Sequence, residues 1–270
     1  TTRASSEHLV NAVEALLHGT QAADLPAWRE VAMKWAEVRS LLSQADIGDT
    51  TAANLAATAW EWWDTVDDRW VEWLVSSYGR EVSRTTLTSV HGITRFLDGE
   101  VSRSGARVLL LVLDGLALSQ WHYLQQLGDF SPIEEHVLLA GLPTITSVSR
   151  QSVLSGLLPV QFADTLDRTD IEEAGWRRFW HDAGREPDEI WYHRTPGRTR
   201  DDWEDPPANA VVCTAVVNAV DDLMHGSSVN GDHQLTASLR TWHSGGLLTA
   251  ARDWATRHSA HLWVTSDHGN

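Results

Sequence analysis

Val108-Leu109-Leu110-Leu111-Val112-Leu113-Asp114-Gly115 is the stretch whose reading decides the fold. Six uncharged apolar residues in a row, with no polar alternation, predict a strand covered on both faces, and therefore a parallel sheet. The run stops on a carboxylate and a glycine, so Asp114 stands at the carboxyl end of that strand. Ligands of open α/β sheets bind along that edge.

Downstream of this strand, apolar runs alternate with helical patterns, the βα signature of a mostly parallel sheet flanked by helices. Further strands are predicted at His136–Ala140, Glu189–His193, Ala210–Val217 and His261–Thr265. Helices are predicted through Trp121–Leu127, over Ser147–Leu154 and Glu172–Gly184, and over Gln234–His258 with a break near Gly245–Gly246.

Upstream, the first hundred residues predict helices alone. One opens at Ser6-Glu7-His8-Leu9 and stops at Gly19. A second starts at Pro26, with Trp28, Val31, Trp35 and Val38 at helical spacing. A third covers Ala52–Tyr78 and is closed by Gly79; a fourth covers about Ser83–Leu97. The polar stretch Asp98–Arg107, with two Gly and two Ser, predicts a boundary. The organisation is thus an all-α, Trp-rich domain over 1–104 followed by an α/β domain over 105–270. Trp60, Trp62, Trp63, Trp70 and Trp73 predict a packed aromatic helix face; were they exposed, they would mark a docking surface.

Bulk properties bound the function. The chain has 270 residues, 42% hydrophobic and 21% charged, which is globular composition. A formal charge of −16 argues against sequence-independent binding of duplex DNA or an anionic membrane. A phosphate substrate stays open, because bound cations reverse the local field. The single cysteine, Cys213, lies in an apolar run and is predicted to be buried and inert, as in a reducing compartment. No secretory leader or run of the ~20 apolar residues that a bilayer requires is present, so a soluble, cytoplasmic protein is expected. A final strand ending on ligand-type residues predicts a fragment truncated at its C-terminus.

Four strand-end segments carry chemistry. They are Asp114-Gly115; Leu142-Pro143-Thr144-Ile145-Thr146-Ser147-Val148-Ser149-Arg150 with Ser155-Gly156; Asp221…His225; and Ser266-Asp267-His268-Gly269. Each has an ordinary reading: a turn, a helix N-cap at Thr146, a surface pair four residues apart, a solvated histidine. Taken together they place three Asp, two His and a hydroxyl at one sheet edge. Oxygen ligands with imidazole suit Zn²⁺ or Mn²⁺. Two such ions can stabilise the attacking and leaving oxygens of phosphoryl transfer.

In order and spacing these segments resemble the alkaline phosphatase superfamily, and within it the PglZ family, over about residues 107–270. The resemblance implies one metal held by Asp114, Asp267, His268 and the Thr146 oxygen, and a second held by Asp221 and His225. A further His of the second site lies beyond the superfamily's Ser-Asp-His-Gly motif, so that site is expected to be incomplete here; His193, His233 and His243 are substitutes. Thr146 would be the metal-activated nucleophile. Arg150, one turn on, is either a clamp on the phosphate or an ordinary surface arginine. The first-turn amides of the Thr146 helix would face phosphate oxygens. Asp221 is preferred to Asp222 because it stands four residues from His225.

PglZ-like proteins belong to bacterial phage-defence systems of the BREX and Pgl type. The resemblance therefore implies a zinc-dependent phosphodiesterase, with a phosphodiester substrate such as a nucleotide or nucleic acid and other defence proteins as partners. The alternative is a silent scaffold of the defence complex, with a structural metal and the Trp-rich helices as its docking surface. The loop Thr195–Pro207 is the expected specificity element.

Overall fold

A computed structural model describes residues 2–18, 22–46, 48–128, 131–227 and 231–269. The predicted stop at Gly19 and the terminal Asn270 lie outside these. The chain packs as two compact units.

The first unit comprises Thr1–Arg84, Leu118–Val137 and Asn230–Ala237. Its helices are α1 (Thr2–Leu17), α2 (Leu25–Leu42), α3 (Thr50–Val82) and α5 (Leu118–Gln126), with α2 packed against the other three. Asp24 caps α2 by accepting the Ala27 N–H at 3.0 Å, and Asp49 caps α3 through the N–H groups of Thr51 and Ala52. The aromatic face is mostly interior. Trp28 packs on Trp70 and Trp73, and Trp35 packs on Trp60, Trp62 and Trp63, leaving Trp60 as the exposed member. Gly79 does not end α3 as predicted. The helix runs three residues further because Val82 and Glu81 are buried, and Glu81 is held by Arg84 at 2.7 Å.

The second unit comprises Thr85–Ala117, Leu138–Val229 and Ser238–Asn270. It is built on an all-parallel sheet of four strands: β1 (Arg107–Leu113), β2 (Ile190–Thr195), β3 (Val212–Val217) and β4 (Ala260–Ser266), in the order β2-β3-β1-β4. Its helices include α4 (Ile93–Ser104), α6 (Thr146–Ser155), α7 (Glu172–Asp182), α8 (Ala219–Ser227) and α10 (Leu247–Arg257); α9 (Gly231–Ser244) precedes α10 across the predicted glycine break. Every residue of β1 from Val108 to Leu113 is buried. Val108, Leu110 and Val112 face a core of Leu97, Val101, Val153, Trp176 and Trp180, contributed by α4, α6 and α7. Leu109, Leu111 and Leu113 alternate to the opposite face.

Three predicted elements differ. The polar stretch from Asp98 is helix up to Ser104, because Ile93, Leu97 and Val101 form one buried stripe at four-residue spacing; α4 packs with the sheet and stops at Gly105, whose φ is +65°. The predicted helix Ser83–Leu97 is consequently replaced by irregular chain, a 3₁₀ turn at Val90–Gly92 and the start of α4. His136–Ala140 does not join the sheet. Its Leu139 makes a single bridge to Ser89, exchanging bonds with Thr88 and Val90 at 3.0 Å. Among the described residues no helix is long and apolar enough to cross a membrane.

Candidate metal centre

Strand register assembles the site. Leu113 is paired with Val217 on one side and Ser266 on the other. The next residue of each strand is therefore Asp114, Asn218 or Asp267, and all three leave the sheet at one level of its carboxyl edge. The turn after β1 is bound to the end of β4: Gly115 N–H donates to Asp267 Oδ1 at 3.0 Å, and His268 N–H donates to the same oxygen at 2.8 Å. Ser266 Oγ donates to the Leu113 carbonyl at 3.1 Å.

Asp114, Asp267 and His268 each offer one ligand atom within 4.8 Å of the others, the single such group of three among the described residues. Both carboxylates are buried, at 4% and 0% exposure. Asp114 Oδ2 accepts from Arg150, and Asp267 Oδ1 accepts the two backbone N–H groups, whereas Asp114 Oδ1 and Asp267 Oδ2 are buried without a hydrogen-bond partner, the latter 3.6 Å from His268 Nε2. Thr146 Oγ1 stands 3.1 Å from His268 Nε2. Two orphaned carboxylate oxygens, an imidazole and a hydroxyl are a donor set that fits Zn²⁺ or Mn²⁺.

The electrostatics fit a cation too. Burial, then the neighbouring charge of Asp267, pushes the Asp114 carboxyl up to about 7, with Arg150 opposing. Burial also raises Asp267, although the Gly115 N–H bond favours its ionised form. Two like charges driven together in a low dielectric are costly until a proton or a cation joins them.

The second predicted pair also converges. Asp221 and His225 lie on one face of α8, 3.4 Å apart, while Asp222 turns to Arg198 at 3.5 Å. Gly115 separates this pair from the cluster. Its φ is +68°, and a Cβ there would stand 3.4 Å from Asp221 Oδ1 and 3.9 Å from His268 Cε1. Of the substitutes, His193 stacks on Trp191 and pairs with Glu204, and among the described residues neither it, His233 nor His243 joins a group of three ligand side chains.

Two assignments change. Thr146 is the first helical residue of α6, and Ile145 occupies the N-cap position. The Thr146 hydroxyl is thus not spent on capping. The Ile145 carbonyl takes the N–H groups of Val148 and Ser149, and among the described residues no backbone partner is seen for the first-turn N–H groups of Thr146 and Ser147. Arg150 is not the ordinary surface arginine of the sequence reading. It is 1% exposed and binds Asp114, Glu172 and Asn218. Sequence reading missed Asn218 and Glu172. Asn218 carried a signal, a polar residue directly after a buried strand, as Asp114 is after β1. Glu172 carried none, because an acid opening an amphipathic helix is ordinary. The loop over 195–207 wraps around Asp202, which accepts the N–H groups of Arg198 and Thr199. The open cavity beside it, about 840 Å³, shares no residue with the cluster, and its Arg200 and Arg257 are paired with Asp253 and Asp205.

The model of the BREX system PglZ alkaline phosphatase-like domain matches residues 98–270. The chain belongs to the PglZ family. The match starts within α4 and takes in all four strands, so the sheet and the cluster at its edge are the PglZ domain. An alkaline phosphatase-like, phosphoesterase-type fold and the BREX setting follow from that membership. No curated protein matches the chain.

Proposed function

We propose that this PglZ domain is a metal-dependent phosphoesterase of bacterial phage defence that cleaves phosphodiesters through Thr146. The observation that carries the reading is the 3.1 Å approach of Thr146 Oγ1 to His268 Nε2, in a cluster with two unpartnered carboxylate oxygens. Asp114, Asp267, His268 and Thr146 would hold one ion; Asp221 and His225 would contribute to a second. Such an ion supplies Lewis-acid chemistry, lowering the pKa of a bound hydroxyl and neutralising phosphoryl charge.

The chain's own part is positional. Thr146 Oγ gives up its proton and attacks phosphorus, the bond to the leaving alcohol breaks and that oxygen takes up a proton, and water then hydrolyses the threonine phosphodiester, restoring the Thr146 hydroxyl and releasing a phosphomonoester. The N–H groups of Thr146 and Ser147 at the start of α6 are oriented for phosphate oxygens, with the helix dipole behind them. A nucleotide or nucleic-acid diester is the substrate class that the defence setting favours. At a net charge of −16, a nucleic-acid substrate would need its positive field from bound cations or from a partner protein.

The test is hydrolysis of bis(p-nitrophenyl) phosphate with Zn²⁺ or Mn²⁺, beside Thr146→Ala. Metal-dependent turnover lost in the variant supports the reading. Tight metal binding without turnover would favour a scaffold of the defence complex, to which α3 would offer its exposed Trp60, Val71 and Val75.

A further inference from the structure

Arg150 stands one helical turn after Thr146, yet it is tied to the opposite side of the cluster. Nη1 donates to Asp114 Oδ2 at 3.0 Å and to Asn218 Oδ1 at 3.2 Å, and Nε donates to Glu172 Oε1 at 2.9 Å. Glu172 has a fully buried side chain, and its other oxygen takes the Tyr192 hydroxyl at 3.4 Å. The guanidinium thus joins α6 and α7 to the ends of β1 and β3, with β2 behind them. It occupies one oxygen of Asp114 and leaves the other, Oδ1, as the buried acceptor without a partner.

We infer that Arg150, anchored by Glu172, is a positioning residue of the metal centre: it fixes the Asp114 carboxylate so that a single oxygen is presented to a cation. The inference rests on the metal-dependent reading above. A buried guanidinium is expensive to keep, and Glu172 is the charge that makes it tolerable. Arginine is required because its planar fork bonds Asp114 and Glu172 in two fixed directions at once, which a lysine ammonium does not do. Partners that orient a metal ligand typically change affinity about 10–100-fold when removed.

A role confined to folding would alter stability and leave the ion's surroundings unchanged. The deciding experiment is therefore a titration of the whole chain with Co²⁺, whose visible absorption reports ligand number and geometry, together with Zn²⁺ affinity by competition with a chelating dye. Arg150→Met and Glu172→Gln would be compared with the unmutated protein, with folding checked by circular dichroism. Positioning predicts weaker binding in both variants, by about tenfold or more, and a shifted Co²⁺ spectrum. The sign is diagnostic for Arg150→Met, because removing a positive charge from beside a dication would by itself tighten binding. Wild-type affinity and spectrum in folded variants, or tighter binding by Arg150→Met, would overturn the inference. Should Arg150→Met not fold, Arg150→Lys decides in its place: it keeps the positive charge and loses the fork, so weaker binding with a shifted spectrum supports positioning and wild-type values overturn it. Failure of the unmutated protein to bind Co²⁺ would instead remove the metal reading itself, and this inference with it.

Discussion

Thr146 Oγ1 and His268 Nε2 approach to 3.1 Å although 122 residues separate them in the chain. The contact joins the first residue of α6 to the turn after β4. It makes Thr146 the hydroxyl to test, ahead of Ser147, whose Oγ is bonded to the Leu166 carbonyl, and Ser149, which is buried. Thr146→Ala is expected to abolish metal-dependent diester hydrolysis, by a factor of about a thousand or more, while Thr146→Ser retains part of it. Because the residue is half-buried and caps nothing, stability should change by only about 0.5 kcal/mol. Kinetics and thermal unfolding of the same samples check both halves; unchanged turnover in Thr146→Ala would refute the nucleophile.

The acid cluster predicts how stability depends on pH in the presence of a chelator. The folded Asp114 carboxyl titrates at about 7, above its ordinary value of 3.8, and Asp267 and Glu172 are raised as well. A raised acid binds its proton more tightly folded than unfolded. Its contribution is therefore complete below about pH 4 and is lost as pH rises to about 7, with roughly 1.4 kcal/mol for each tenfold difference in proton affinity between the two states. Urea midpoints at pH 5 and pH 8 should fall in that direction, and Zn²⁺ should restore the loss at pH 8. A midpoint that rises with pH in chelator would contradict the buried carboxylate pair.

Gly115, in the turn after β1, lies between Asp221 and His268. At φ +68° a side chain is strained by about 1–2 kcal/mol, while its Cβ would lie in ordinary contact with Asp221 and His268. Gly115→Ala should lower stability by that amount and weaken metal binding. Differential scanning calorimetry and a Zn²⁺ titration measure the two effects; wild-type values in both would show that the turn relaxes at no cost.

Cys213 is fully buried in β3, and burial pushes its thiol up to about 12. It should not react with a thiol reagent at pH 8 under native conditions and should react as one equivalent in denaturant. Rapid native labelling would contradict the buried strand.

Local pattern in the sequence determined a good deal. An unbroken apolar run has few alternatives to a buried parallel strand, and Val108–Leu113 became a fully buried interior strand of the sheet. Asp24 and Asp49 start their helices because a short carboxylate can satisfy first-turn amides without help from elsewhere. Asp114, Thr146, Asp267 and His268 were legible because strand ends and helix starts are themselves legible. The tertiary structure alone decided the rest. Whether Gly79 stops α3 depended on the burial of Glu81 and Val82, and whether Leu139 joined the sheet depended on its bonds to Thr88 and Val90. The direction of Arg150 was settled by Glu172, Asn218 and Asp114, which lie on three other segments. The physical reason is that periodicity and capping are properties of neighbouring residues. The convergence of side chains is set by strand register and by the desolvation of charges, which only the assembled sheet imposes.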